Sequence, residues 1–256
     1  MTYDAEFFPI DGRSKKGGGH AAVKRRSGPA IKIAVLVMCV VLLALLGFRV
    51  FSWTGRQQEA ELLALVNPWN PVEFCGFKPK LTGIGGGHQA DVRCAAALEQ
   101  MLADCAAAGY SPVVCSAYRT GEYQQELYEN KLQRVLNAGA DPAKAPDIAA
   151  AEVARPGTSE HEIGLALDIV DMAYQQLDEG QEDTPTQQWL MANCRKYGFI
   201  LRYPKGAEDV TGVIYEPWHY RYVGVEAAEQ IYQLGITLEE YITMFYSEEA
   251  VIVFED

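Results

Sequence analysis

Residues 159–170 read Ser159-Glu160-His161-Glu162-Ile163-Gly164-Leu165-Ala166-Leu167-Asp168-Ile169-Val170, and this stretch predicts the strand on which the fold is built. From Gly164 to Val170 the side chains of an extended chain alternate between two faces. One face is apolar and can pack in a core, and it holds Leu165, Leu167 and Ile169. The other face has small residues that leave room for an ion beside a carboxylate, and it holds Gly164, Ala166 and Asp168.

Two histidines and this carboxylate make up the ligand set of a hydrolytic zinc site. His161 has the opposite parity to Asp168 in a straight strand, so we expect it to reach a shared ion from a loop or bulge before the strand. A second segment, Glu216-Pro217-Trp218-His219, supplies the second imidazole. A hydrolytic zinc ion keeps three protein ligands and one open position for water. We therefore predict that His161, Asp168 and His219 bind one Zn²⁺.

Glu216 is left as the general base, because the three ligand positions are already filled. Zinc lowers the pKa of its bound water to roughly 7, and a nearby carboxylate can take the proton. The alternative is a surface glutamate beside ordinary buried histidines, and the small residues around Asp168 disfavour it. Glu160 and Glu162 should point elsewhere on an extended chain and be solvated. We expect no role for His88, which lies in a glycine-rich loop.

A metal hydrolase also needs a donor for the developing oxyanion. Ser116-Ala117-Tyr118-Arg119-Thr120 places Arg119 at a predicted strand-to-helix corner. A surface salt bridge is the alternative for a single arginine. The polar residues near Arg119 in the sequence favour a substrate contact instead. These residues are Ser116, Tyr118, Thr120 and Gln124.

The order of predicted elements indicates an α+β fold, a compact single domain with a small, mainly antiparallel sheet flanked by helices. Helices are predicted over 89–108, 122–137, 147–153, 186–197, 225–235 and 238–245. Strands are predicted over 112–118, 164–170, 199–203 and 218–223. Thr120 can cap the helix over 122–137. Residues 85–87, all glycine, are expected to form a flexible turn.

The N-terminal region differs in charge from the rest of the chain. Residues 1–53 have eight Lys/Arg against three Asp/Glu, whereas residues 54–256 carry a net charge of −17. An apolar run from Ile33 to Phe48 is long enough, with its flanking residues, to span a bilayer as one transmembrane helix. Because the positive charges precede it, the N-terminus should be cytoplasmic and the C-terminal domain extracellular. A cleaved signal peptide is the alternative, but no small-residue cleavage site follows the run.

Composition bears on two further questions, the binding of nucleic acid and the formation of disulfides. The acidic C-terminal part would repel phosphates, so we expect no nucleic-acid partner. Five cysteines follow the apolar run, and an odd number leaves at least one thiol outside any intramolecular bridge. Cys105, Cys115 and Cys194 are the better candidates for a disulfide, although spacing does not choose among them.

These motifs together resemble the VanY-type D-alanyl-D-alanine carboxypeptidases, which are zinc peptidases. The motif Ser-x-His-x-x-Gly-x-Ala-x-Asp covers Ser159 to Asp168, and Glu-x-Trp-His covers Glu216 to His219. The motif Ser-x-Tyr-Arg-Ser/Thr covers Ser116 to Thr120. The similarity extends from about residue 65 to about residue 241.

The resemblance implies that Glu216 also protonates the leaving amine and that Arg119 stabilises the tetrahedral intermediate. It further implies a set of peptide-binding residues, namely Ser116, Tyr118, Gln124, Ser159 and Trp218. The substrate would be the D-amino-acid end of peptidoglycan stem peptides. We therefore expect a membrane-anchored bacterial D,D-carboxypeptidase that needs no catalytic serine and no obligate protein partner.

The predicted organisation has five parts. They are a disordered cytoplasmic tail over 1–30, a transmembrane signal anchor over 31–53, a linker over 54–70, a zinc carboxypeptidase domain over 71–246 and a C-terminal tail over 247–256. Two alternatives remain open at this point. One is an L,D-carboxypeptidase acting on tetrapeptide stems, and the other is a metal-containing wall-binding module without turnover, against which the presence of Glu216 argues.

Overall fold

The structure is a computed structural model that describes Met38 and residues 60–246. No helix within these residues is both long enough and apolar enough to cross a bilayer. The predicted tail over 1–30, the C-terminal tail over 247–256 and, apart from Met38, the predicted anchor over 31–53 lie outside the described residues. These three expectations therefore remain predictions.

A four-stranded antiparallel sheet organises the domain. Its strands, in chain order, are β3 (Pro112–Ser116), β4 (Ala166–Asp171), β5 (Phe199–Leu201) and β6 (His219–Tyr222), and their order in space is β3-β4-β6-β5. In the register of the sheet, Asp168 of β4 lies between Ser116 of β3 and His219 of β6. Because directly paired residues share a face, the sheet places these three side chains on one side.

Every residue of the central strand β4 is buried. The predicted apolar face is confirmed, since Leu165, Leu167 and Ile169 all belong to the main hydrophobic core. Helix α1 (Val92–Ala107) supplies Leu98 and Met101 to the same core. The period-two pattern thus separates a core face of the sheet from the face that holds Asp168.

Six further helices lie within residues 60–246. They are α2 (Gly121–Asn137), α3 (Ala145–Glu152), α4 (Pro185–Asn193), α5 (Glu208–Thr211), α6 (Val225–Leu234) and α7 (Leu238–Tyr246). The predicted cap of α2 is confirmed, because the Thr120 side chain accepts a hydrogen bond from the Tyr123 N–H. In this described part of the chain there are also four 3₁₀ turns, over Val72–Phe74, Glu160–Ile163, Glu179–Asp183 and Cys194–Tyr197. The last of these takes up the end of the helix predicted over 186–197.

A β-hairpin precedes α1, which the sequence pattern did not indicate. Strands β1 (Leu81–Gly85) and β2 (His88–Asp91) pair antiparallel. Their connection needs positive φ angles of 88°, 61° and 82° at Gly85, Gly86 and Gly87, which only glycine adopts readily. The predicted start of the helix at residue 89 is therefore wrong. The helix begins at Val92, where the Asp91 side chain accepts the Arg93 N–H as an N-cap.

Residues 60–70 of the predicted linker and the five described cysteines have definite positions, whereas residues 54–59 lie outside the described residues. Leu62, Ala64 and Val66 pack into the main core, so the folded unit begins before residue 71. All five described cysteines are free thiols, so the structure forms no disulfide among the candidates Cys105, Cys115 and Cys194. Cys105 and Cys194 are buried in the main core instead, where a thiol packs like a small apolar side chain.

Candidate metal and catalytic site

The three predicted ligands meet on one face of the sheet. One nitrogen each of His161 and His219 and one oxygen of Asp168 all lie within 4.8 Å of one another, and all three residues are buried. His161 Nε2 lies 3.3 Å from Asp168 Oδ2, and His219 Nδ1 lies 3.0 Å from Asp168 Oδ1. Asp168 and His219 are brought together by their direct pairing in the sheet.

His161 reaches the cluster from a turn before β4, as its parity requires. It lies on the 3₁₀ turn Glu160–Ile163, which ends at Gly164 in the left-handed conformation with φ 69°. A Cβ at Gly164 would lie 3.2 Å from both the Asp91 backbone N and a Leu81 methyl, so a side chain there would be strained and crowded. His161 Nδ1 lies 2.7 Å from the Ala117 carbonyl, and this contact directs Nε2 towards Asp168.

Arg119 lies beside the cluster and is held by the polar residues of its own motif. Its Nη2 donates to Asp168 Oδ2 at 2.6 Å, and its Nε donates to Ser116 Oγ at 2.8 Å. Its Nη1 donates to Gln124 Oε1 at 3.3 Å. Gln124 is fully buried, and its amide nitrogen donates to the Ala154 carbonyl. Ser116 and Gln124 therefore orient the guanidinium group, and their predicted contact with a peptide remains a prediction.

Glu216 is placed next to the ligands but outside the ligand set. Its Oε2 lies 3.6 Å from His219 Nδ1. Its backbone is fixed on both sides, because its N–H donates to the Tyr203 carbonyl and its own carbonyl accepts the His219 N–H. Burial raises the pKa of Glu216 to about 8, and the neighbouring Asp168 charge adds to this effect against the charges of His219 and Arg119. A carboxylate with a pKa near neutrality suits a group that takes and returns protons.

The two imidazoles differ in their surroundings. Burial lowers the pKa of His161 to about 4, and the Arg119 charge acts in the same direction. Burial also opposes the charged form of His219, but the carboxylates of Asp168 and Glu160 outweigh it and raise the pKa of His219 to about 9. The pKa of Asp168 is lowered well below its usual range, because the two histidines and Arg119 outweigh the effect of burial. This deprotonated carboxylate is suited to a cation.

The residues present fit a zinc ion by their chemistry. Two imidazole nitrogens and one carboxylate oxygen are ligands that zinc prefers, and three such ligands are typical of catalytic zinc sites. The cluster is buried, which is unusual for charged groups unless they are paired or bind a metal. His161, Asp168 and His219 would hold the ion.

The expectation that Glu160 is solvated is wrong. Its side chain is fully buried, and Oε1 accepts hydrogen bonds from Arg202 Nε at 2.8 Å and Arg221 Nη1 at 2.7 Å. Burial disfavours its charged form, but the two guanidinium groups outweigh this and lower the pKa of Glu160. The prediction failed because residues 160–163 form a 3₁₀ turn instead of an extended chain. Glu162 is half-buried, and its Oε1 accepts the Gly157 N–H.

The remaining predicted site residues surround this cluster at varying depth. Tyr118 is half-buried, and its backbone N–H donates to the Gln89 carbonyl. Ser159 and Trp218 are buried, and their carbonyls accept the N–H groups of Glu162 and Ile169, respectively. These three residues shape the backbone around the ligands, and their predicted contact with a peptide remains a prediction.

Three buried residues around the site were missed by the sequence reasoning, namely Arg202, Tyr203 and Arg221. The Tyr203 ring packs against His219 with centroids 4.8 Å apart. A signal for the arginines was present, because each interrupts an apolar stretch, Phe199-Ile200-Leu201-Arg202 and Tyr220-Arg221-Tyr222. A charged residue within a buried strand requires a buried partner of opposite charge.

The chain is similar to known proteins over segments much longer than its three motifs. The family model described as "VanY: D-alanyl-D-alanine carboxypeptidase" matches residues 87–225. A D-alanyl-D-alanine carboxypeptidase of Enterococcus faecalis is 41% identical over 190 residues, which cover 73% of this chain and 68% of that protein. The segment matched by the family model includes the three predicted ligands, Glu216 and Arg119.

Solved structures share the fold at similar identity. A variant of the vancomycin-resistance D,D-pentapeptidase VanY, from a VanB-type resistance cassette and in complex with Zn(II), is 40% identical with a TM-score of 0.64, covering 71% of this chain and 99% of that one. VanYB in complex with D-alanine-D-alanine is 39% identical with a TM-score of 0.65, covering 72% of this chain and 98% of that one. Both similarities cover almost the whole length of the solved domain.

Proposed function

The chain belongs to the VanY family of D-alanyl-D-alanine carboxypeptidases, and from that premise we propose that it is a membrane-anchored, zinc-dependent D,D-carboxypeptidase that hydrolyses the terminal D-alanine of peptidoglycan stem peptides. The observation that carries the proposal is the buried cluster of His161, Asp168 and His219 with Glu216 beside it. The likeness to a structure that holds D-alanine-D-alanine supports the choice of substrate.

The proposed chemistry is divided between the ion and the chain. One zinc ion, when bound by the three ligands, would lower the pKa of a coordinated water to about 7 and polarise the scissile carbonyl. Glu216 takes the proton of the attacking water on its carboxylate and returns it to the leaving amine. Its carboxylate lies 3.6 Å from His219 Nδ1, beside the predicted ligands, and this position suits the transfer.

Arg119 is proposed to stabilise the negative charge that develops on the carbonyl oxygen. It is 14% exposed in its side chain, so the guanidinium group borders solvent while three acceptors hold it. A donor that is already oriented stabilises developing charge without a reorganisation cost at the moment of reaction. Ser116 and Gln124 contribute by fixing that orientation.

Hydrolysis itself is measured by incubating the purified full chain with zinc and a synthetic stem peptide that ends in D-alanyl-D-alanine. Release of free D-alanine supports the function. A folded, zinc-loaded protein that binds the peptide without releasing D-alanine would instead be a wall-binding module, and the proposed function would be rejected.

Arg119→Lys should lower kcat/KM by about 10²–10³-fold, the usual effect of losing one oxyanion donor. Lysine keeps the charge but lacks the planar fork that contacts Ser116, Gln124 and Asp168 together. The exposed Arg134→Lys on α2 is the matched control and should retain activity within about twofold. Equal activity of the Arg119→Lys and Arg134→Lys proteins would exclude the proposed role.

Membrane anchoring is a separate part of the proposal and is supported by the apolar run from Ile33 to Phe48 behind the basic cluster Lys24-Arg25-Arg26. Cytoplasmic basic residues set the orientation of such a span. Protease added to intact cells should digest the C-terminal domain and leave a membrane-bound N-terminal fragment. Protection of the domain in intact cells, with digestion after lysis, would contradict this topology.

A further inference from the structure

Glu160 and His219 face each other with atoms that lack other partners. Glu160 Oε2 and His219 Nε2 are both buried, and neither has a hydrogen-bond partner among the described residues. The two atoms lie 3.7 Å apart, slightly farther than a hydrogen bond allows. A buried polar atom without a partner is costly, so two of them that face each other need an explanation.

Two arginines fix the position of Glu160 but use only one of its oxygens. Arg202 and Arg221 both donate to Oε1, which leaves Oε2 directed at His219. Arg202 is itself held by two hydrogen bonds to Glu239, at 2.9 and 2.6 Å. Arg221 donates to the carbonyls of residues 62 and 64. Because each arginine is tied to other segments, the position of Oε1 is fixed, and Oε2 is left beside the imidazole.

The two ligand histidines thus have corresponding outer contacts. His161 has Nε2 towards Asp168 and Nδ1 against the Ala117 carbonyl. His219 has Nδ1 towards Asp168 and Nε2 towards Glu160. A neutral imidazole carries one N–H and one lone pair. For His219 to offer its Nδ1 lone pair to a metal ion, its proton must lie on Nε2, where Glu160 is the acceptor.

A purely structural role does not account for this arrangement. Buried ion pairs contribute little net stability compared with apolar packing, because desolvation offsets their attraction. The group of Glu160, Arg202, Arg221 and Glu239 balances two positive charges with two negative charges. That balance does not require Oε2 to face a ligand histidine, whereas an acceptor for the ligand's N–H does.

We propose that Glu160 is a positioning residue that accepts a hydrogen bond from the Nε2–H of His219 and so presents Nδ1 to the metal ion. This inference rests on the zinc site of the proposed function. Outer contacts of this kind fix the tautomer and the ring orientation of a ligand histidine, and their loss typically costs 10–100-fold in metal affinity or activity.

The test compares the zinc affinity of two variants of the full chain, measured by competition with a chromophoric chelator. Glu160→Gln removes the carboxylate that faces His219 and should weaken zinc binding by about 10–100-fold. Glu239→Gln is the matched control, because it makes the same chemical change against the same Arg202 without facing a ligand. It should leave zinc affinity within about threefold, even if both variants melt at a lower temperature.

The outcomes separate this inference from the proposed function. If the unsubstituted chain does not bind zinc, the proposed function fails. If it binds zinc and Glu160→Gln binds equally well, or if both variants weaken binding equally, the role of Glu160 fails.

A second measurement needs no variant of Glu160 and decides the question if Glu160→Gln does not fold. Two-bond ¹H–¹⁵N correlation spectra of the zinc-loaded chain, labelled at histidine, report which nitrogen of each ring carries the proton. His219 should show a protonated Nε2 and a metal-bound Nδ1. The opposite tautomer would overturn the proposal.

Discussion

Glu216→Gln should lower kcat by about 10²–10⁴-fold, the usual contribution of a positioned general base. The substitution is close to isosteric, so it removes the proton acceptor while the backbone hydrogen bonds of residue 216 to Tyr203 and His219 remain. Zinc content should stay at the level of the unsubstituted chain, because the Glu216 carboxylate lies beside the three ligands and is not one of them. Steady-state kinetics and metal analysis of the same preparation measure both quantities.

Glu152→Gln is the matched control for this experiment. Glu152 is close enough to Glu216 for its charge to raise the pKa of that group, but it forms an ion pair with Lys131 and its side chain is 40% exposed. Its substitution should change kcat by no more than about threefold, since exposed ion pairs contribute little. If Glu216→Gln lost zinc in proportion to activity, Glu216 would be a ligand and the proposed division of roles would be wrong.

His161→Ala should abolish measurable hydrolysis, because it removes one of the three ligands. Its zinc affinity should fall by more than the 10–100-fold typical of outer contacts. Without His161, the buried site offers a cation two ligands instead of three, so it binds the cation more weakly. Chelator competition gives the affinity, and circular dichroism verifies that the variant is folded.

His88→Ala provides the corresponding histidine control. His88 lies on β2 and does not belong to the ligand cluster. It should retain full activity, full zinc content and the same loss of activity on chelation. Hydrolysis that survives in metal-free His161→Ala, or equal loss in both variants, would contradict the proposed metal requirement.

Much of the site could be predicted from local sequence patterns. Alternation along β4 placed Leu165, Leu167 and Ile169 in the core and Asp168 on the opposite face, and the structure confirms this division. The parity of His161 relative to Asp168 also predicted that His161 lies before the strand. The structure places it there, on a 3₁₀ turn. These predictions succeeded because the period of a strand and the reach of a side chain are local properties.

The parts that could not be predicted depend on contacts between distant segments. Glu160 is buried because Arg202 and Arg221, more than forty residues away, reach the same point. The β1–β2 hairpin was missed because its glycines were assigned to a flexible turn without a paired strand on either side. The predicted helix start at residue 89 failed for the same reason, because residues 88–91 pair with β1 and α1 begins only at Val92.

The measurement that most directly tests the central claim is mass spectrometry of products from an equimolar mixture of pentapeptide and tetrapeptide muropeptides. Each reaction is run with the zinc-loaded chain and with the same protein after metal removal. A zinc-dependent D,D-carboxypeptidase predicts that the pentapeptide loses one D-alanine only in the presence of zinc, that the tetrapeptide increases by the same amount and that no tripeptide forms. Preferential loss of D-alanine from the tetrapeptide would identify an L,D-carboxypeptidase, and pentapeptide hydrolysis that persists without metal would contradict the zinc site.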